Sequence, residues 1–150
     1  MPDLLEGRKI FVTGGSRGIG EAIVRDCVKQ GAFVGFNYLN SHERALKISG
    51  GSSGNAVSFR ADSRVLSDMD DALSRFSGDG PNQGIDGLVI NAGIYKRSSI
   101  SELDPKDWDR TISTNLTGAY NTIRPALRYM DLGSIVFVSS QLAFRGSDYG

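Results

Sequence analysis

Residues 9–20 read KIFVTGGSRGIG. The opening run is apolar and rich in β-formers, which predicts a strand over about Lys9 to Thr13. It leads straight into a glycine turn, and GIGEAIVRDCVKQGA continues with a helical pattern that begins inside the turn. Ile19, Ile23, Cys27 and Gln30 fall on one helical face, Ala22 and Val28 lie beside it, and Gly31 stops the helix. The glycines at 14, 18 and 20 have separate tasks. Gly14 allows the sharp turn off the strand, Gly18 lets the backbone approach a pyrophosphate, and Gly20 lets the helix press on the sheet. A helix that starts there offers free N–H groups and partial positive charge to phosphates. The run lacks the Gly-Lys-Ser/Thr of a nucleotide triphosphate loop, which removes that alternative.

Outward from this unit, strands and helices alternate. FVGFNY predicts a second strand, and SHERALKIS a short helix with Ser41 as its cap. AVSFRAD is a third strand, followed by a helix whose period is carried by Val65, Met69, Ala72, Leu73 and Phe76. IDGLVINAG is a fourth strand. Asp104 then caps a helix with Pro105 in its first turn, where a missing N–H costs nothing. Ile112, Leu116, Tyr120, Ile123, Leu127 and Met130 extend its apolar stripe, Trp108 anchors it, and Pro125 predicts a kink. SIVFVSS is the fifth strand. Apolar strands alternating with helices predict an α/β fold with a doubly wound parallel sheet in the order 3-2-1-4-5. The Gly/Ser-rich stretches GGSSGN and SGDGPNQG read as surface connections at the bottom of the sheet, so residues 1–150 read as a single domain.

The 150 residues carry 17 basic and 17 acidic side chains. That balance argues against nucleic acid or an anionic membrane as a partner held by bulk charge. Cys27 is the sole cysteine, which excludes an intrachain disulfide and a thiolate metal cluster and suits a reducing, cytoplasmic setting. No apolar run approaches the ~20 residues that span a bilayer. His42 stands alone, with no partner nearby in sequence for metal or catalytic work, so no metal is expected.

The spacing G-x-x-x-G-x-G in TGGSRGIG resembles the cofactor motif of the short-chain dehydrogenase/reductase family. NAG at 91–93, after the fourth strand, is similar to that family's second signature, with Ile90 where an asparagine usually stands. TNLTG holds Asn115, similar to the family's helix asparagine, and the fifth strand delivers Ser140 to the position of its serine. The resemblance covers the chain from the first strand onward and is similar in type to 3-oxoacyl-carrier-protein reductases. It implies a Rossmann fold that binds a nicotinamide dinucleotide through Gly14, Ser16, Arg17, Gly18, Ile19, Gly20, Asn37, Asp62, Ser63, Asn91, Ala92 and Gly93. It implies catalytic roles for Ser140, which bonds the substrate oxygen, and Asn115, which holds a water of the proton relay. It implies a small carbonyl or alcohol substrate and a homodimer or homotetramer, with Tyr120, Ile123 and Leu127 at a helix–helix contact.

At the adenosine end, Tyr38 stands where NAD-using relatives carry an acid. A carboxylate there would repel a 2′-phosphate, whereas Arg17 offers that phosphate a planar fork, and Asn37, Asn40 and Ser41 can add neutral hydrogen bonds. NADPH is therefore expected rather than NADH. The family's Tyr-x-x-x-Lys pair is not matched: Tyr149 lies nine residues beyond Ser140, close for that tyrosine, and reads as a loop aromatic. The resemblance thus implies an N-terminal piece of a longer chain, truncated after strand five, aggregation-prone and without reductase activity by itself. A non-catalytic dinucleotide-binding sensor or scaffold is the alternative function. Lys96, Arg97 and Arg145 border the substrate side and read as solvated loop charge.

Overall fold

A computed structural model of the chain describes residues 3–147. Tyr149 lies outside the described residues. Five parallel strands, β1 (Lys9–Val12), β2 (Phe33–Tyr38), β3 (Ala56–Arg60), β4 (Gly87–Ile90) and β5 (Ser134–Phe137), form one sheet in the order β3-β2-β1-β4-β5. Phe11 stands level with Gly35 on one side and Leu88 on the other. Three of the helices are α1 (Gly18–Lys29), α2 (His42–Gly50) and α3 (Leu66–Gly78). Right-handed crossovers put α1 and α2 on one face while the strand order runs outward from β1 to β3. The return to β4 puts α3 on the other face.

Each face has its own core. Ile10, Val12, Val34 and Phe36 pack against Val24 of α1 and Ala45 and Ile48 of α2. Phe11, Phe59, Leu88 and Ile90 pack against Met69, Ala72, Leu73 and Phe76 of α3. The Phe76 ring meets those of Phe11, Phe33 and Phe59. Lys9 is fully buried at the start of β1. Its ammonium donates to the carbonyls of Phe76, Ser77, Asp79 and Asn82, which satisfies the last turn of α3 and the chain beyond it. Burial pushes the Lys9 pKa down, while Asp79 and Asp86 oppose that shift.

Several expectations need correction. Ile19 does not join the α1 core face: it is 64% exposed, and the buried positions are Gly20 and Val24. Ser41 holds the cap position of α2, but its side chain makes no capping bond. The long helix divides into α4 (Pro105–Ile112), a π-helical turn (Ser113–Thr117) and α5 (Gly118–Ala126). The irregularity therefore comes before Pro125, which sits inside the last turn of α5. Asp104 caps α4 by accepting from the Lys106 N–H at 2.8 Å. Trp108 is 51% exposed and does not enter the core, and α4 has no buried residue. Ile123 packs into the α3-side core, whereas Tyr120 and Leu127 are exposed.

Candidate functional site

The switch point between β1 and β4 opens a gap at the carboxyl ends of the strands, and the side chains around it tie the strand tips together. Thr13 Oγ1 accepts the N–H groups of Asn91 and Ala92, both at 2.9 Å. Asn91 Nδ2 returns a bond to the Thr13 carbonyl at 2.9 Å and a longer one to the Gly14 carbonyl. Asn37 Oδ1 accepts the Gly14 N–H at 3.1 Å, and its Nδ2 donates to the Ala61 carbonyl at 2.9 Å. The tips of β1 through β4 thus form one hydrogen-bonded rim, in which the Asn37 amide ties the glycine turn to the end of β3.

On this rim the glycine turn is held tightly at one end and open at the other. A Cβ on Gly20 would lie 2.2 Å from the Gly14 carbonyl oxygen and 2.5 Å from Asn91 Nδ2, so no side chain fits. Gly18 has φ +54, and a Cβ there would meet no protein atom within 4 Å. Its backbone faces open space, which suits the approach of another molecule. Ser16 is buried beside it, and Arg17, extended at φ −158, caps the helix start. The Arg17 guanidinium has no ion-pair or hydrogen-bond partner among the described residues. Glu21, one turn further along α1, is taken by other arginines. Its Oε1 accepts from Arg25 Nε and Nη2, and its Oε2 from Arg44 Nη2 at 3.2 Å. The Arg25 bonds, aided by Arg44, hold its carboxyl below its usual range.

The cleft has a volume of about 580 Å³. Its walls are the glycine turn, residues 37–41 at and beyond the end of β2, residues 61–64 after β3, residues 91–94 after β4, and Arg110 and Thr114. Gly14, Ser16, Arg17, Gly18, Ile19, Gly20, Asn37, Asp62, Ser63, Asn91, Ala92 and Gly93 all line it. Ile19 is exposed because it faces this cleft. Asp62 is not a free acceptor: both its oxygens take the Arg64 guanidinium, and Oδ1 also takes the Arg64 N–H. The Arg64 side chain, at these bonds, holds the Asp62 carboxyl below its usual range.

Asn115 lies in the π-helical turn, with Oδ1 accepting the Ile94 N–H at 2.8 Å and Nδ2 donating to the Ile94 carbonyl at 2.9 Å. The amide mimics a strand neighbour for Ile94 and holds the segment after Gly93 in place. One lone pair and one proton of the amide remain for a water. Ser140 lies past the end of β5 and starts a short 3₁₀ turn, its Oγ accepting the Leu142 N–H at 3.2 Å. That bond orients the hydroxyl and leaves its proton available. Ser140 and Asn115 do not line the cleft itself.

Thr13, Arg64, Arg110 and Thr114 escaped the sequence reading. Thr13 was visible as a hydroxyl between strand and turn. The other three reach the cleft by the packing of separate elements. His42 gains a partner the sequence did not suggest: its Nδ1 shares a 2.6 Å hydrogen bond with Tyr38 Oη. Lys96 pairs with Asp107 at 3.5 Å, so it is not a free loop charge. The Cys27 thiol is half-buried, and burial raises its pKa, as for a packing residue. No helix among the described residues is long and apolar enough to cross a membrane.

A family model described as short chain dehydrogenase matches residues 8–149. A 3-oxoacyl-[acyl-carrier-protein] reductase of Chlamydia pneumoniae is 40% identical over 148 residues, covering 95% of this chain and 59% of that protein. A 2,3-dihydro-2,3-dihydroxybenzoate dehydrogenase of Bacillus subtilis is 34% identical over 145 residues, covering 93% of this chain and 54% of that protein. The crystal structure of a short chain dehydrogenase from Burkholderia cenocepacia in complex with NADP superposes with a TM-score of 0.87. It is 35% identical, over 97% of this chain and 60% of that one. The chain thus spans little more than half the length of these relatives, 59% of the first and 54% of the second.

Proposed function

Because the chain belongs to the short-chain dehydrogenase family, we propose that it forms the dinucleotide-binding domain of an NADPH-dependent oxidoreductase that interconverts a carbonyl and a secondary alcohol. The observation that carries this reading is the pairing of Gly18 with Arg17. Open space beside the Gly18 backbone and an unpartnered guanidinium stand at the same helix start, at the mouth of the cleft. The cleft's size falls within the range of small-ligand sites, roughly 300–1,000 Å³.

The residues fit a dinucleotide. The Gly14–Gly20 turn and the first N–H groups of α1 hold the diphosphate. Arg17, with Asn40 and Ser41, holds a 2′-phosphate. No carboxylate stands among the cleft residues after β2, and the acid after β3, Asp62, is neutralised by Arg64. Both features favour NADPH over NADH. When bound, the nicotinamide supplies a hydride. Asn115 fixes the wall segment at Ile94 and can hold a water. Ser140, oriented by the Leu142 N–H, donates to the substrate oxygen. The proton comes from a tyrosine–lysine pair of the kind the family resemblance implies. Trp108, Ile112, Leu116, Tyr120 and Leu127 form an exposed apolar stripe that runs along α4, through the π-helical turn and along α5 to the residue after it, and a second copy of the protein covers it in a homodimer or homotetramer. A reducing cytoplasm suits the single thiol.

The test is equilibrium titration of the intact protein with NADPH and NADH. NADPH is expected to bind more tightly, and Arg17→Ala to remove about tenfold or more of that preference, as loss of a charge-assisted phosphate contact does. Unchanged preference in Arg17→Ala overturns the assignment. Dinucleotide binding without ketone turnover by the intact protein would instead favour the sensor or scaffold reading.

A further inference from the structure

Arg17 faces a choice that the sequence does not reveal. Glu21 lies four residues along α1, within reach of the same helical face, and is the nearest acid in that helix. A carboxylate free to pair with Arg17 would compete with a 2′-phosphate and add negative charge beside it. In the structure neither Glu21 oxygen is free. Arg25 holds Oε1 by two bonds, and Arg44, in the first turn of α2, holds Oε2. The Arg44 bond also ties together two walls of the cleft. Arg17 stands at the start of α1, and Asn40 and Ser41 lead into α2.

We propose that Arg44 is a positioning residue for the 2′-phosphate subsite: by holding the second oxygen of Glu21, it keeps that carboxylate off Arg17 and holds the α2 wall against the α1 wall. This rests on the reading of Arg17 as the 2′-phosphate ligand. Arg44 itself acts through Glu21 and does not line the cleft. NADH, which has no 2′-phosphate, gains nothing from a free Arg17. Loss of Arg44 should therefore appear in the NADPH-to-NADH ratio and not as general weakening.

The experiment measures dissociation constants for NADPH and NADH with the intact protein, the Arg44→Ala variant, and the Arg44→Ala/Glu21→Gln pair. Arg44→Ala is expected to weaken NADPH by about three- to fivefold, the scale of one partly exposed ion pair, and to leave NADH nearly unchanged. Removing the Glu21 charge in that background is expected to restore NADPH binding. Equal weakening of both dinucleotides, or none, overturns the proposal. So does a double variant that stays as weak as Arg44→Ala, since Arg44 would then act by its own charge. Arg17→Ala, measured beside them, separates the two readings. If it abolishes the preference while Arg44→Ala does not, only this proposal fails. If the unaltered protein shows no preference and Arg17→Ala changes nothing, the cofactor reading fails and takes this one with it.

Discussion

The interior strand β2 and the edge strand β5 are finished differently. On the β2 side, Val34 and Phe36 are fully buried beneath α1 and α2. On the β5 side, Ile135 reaches the core shared with α3 and α5, yet Val136 and Phe137 are 53% and 58% exposed. In the sequence the two runs look alike, FVGFNY and SIVFVS, both apolar and β-branched or aromatic. An apolar run reports the capacity to be buried. Whether it is buried depends on which helices the crossovers bring over it. The cleft, with its demand for fixed geometry, sits over the side where both faces are covered.

The sharpest way to break this contrast is one substitution made in both regions. Phe76→Ala removes a ring with 0% exposure that meets three other phenylalanines, and it should cost about 3–5 kcal/mol of folding stability. Phe137→Ala removes a ring that is mostly in water, and it should cost below about 1 kcal/mol. Denaturant melts of the two variants in the intact protein check this. Equal losses would mean that β5 is covered in solution, by a further part of the protein or by a second copy.

A smaller effect is expected at the foot of the closed side, where Lys9 serves four carbonyls. Lys9→Met keeps most of the apolar stem and removes the donors. The carbonyls of Phe76 and Ser77 are then left in a poorly solvated place. Regaining the desolvation cost of the ammonium offsets part of the loss, so about 2–3 kcal/mol should remain. The change lies at the opposite end of the strands from the cleft. Thermal stability should fall while NADPH affinity per folded molecule stays the same. A calorimetric melt and a cofactor titration together test it, and a stable Lys9→Met protein would show that the carbonyls find water instead.

These residues also show what was legible in the sequence. The strand order followed from five apolar runs and the crossover rule, because both depend on local pattern and chain handedness. The glycine turn was legible because its constraint is local: Gly20 is excluded from bearing a side chain by Gly14, six residues away. Lys9 was not legible as a buried cation, since its partners are carbonyls at positions 76–82, and carbonyls carry no side-chain signature. The π-helical turn was missed for a related reason. Pro125 carried the visible signal for irregularity, but the widening sits where Asn115 is drawn to the Ile94 peptide, a contact 21 residues distant. The Arg64–Asp62 pair is hard to read for being too close in sequence: an aspartate expected to serve the dinucleotide is paired with the side chain two residues later.

That pair supplies the smallest expected effect, at the rim of the covered side. The Asp62 carboxyl is held below its ordinary value of 3.8 chiefly by the Arg64 side-chain bonds. A carboxyl lowered in the folded state contributes stability that is fully present above its unfolded value and is lost as pH falls through the folded value. The Arg64 side chain is partly exposed, so screening keeps the contribution to about 1 kcal/mol or less. Arg64→Gln should therefore be slightly less stable than the unaltered protein at neutral pH. The gap between the two stability curves should begin to narrow as pH drops below about 4 and close once pH has passed the lowered Asp62 value of the folded, unaltered protein. Curves that stay parallel across that range would assign the loss to packing of the arginine stem and remove the electrostatic account of the pair.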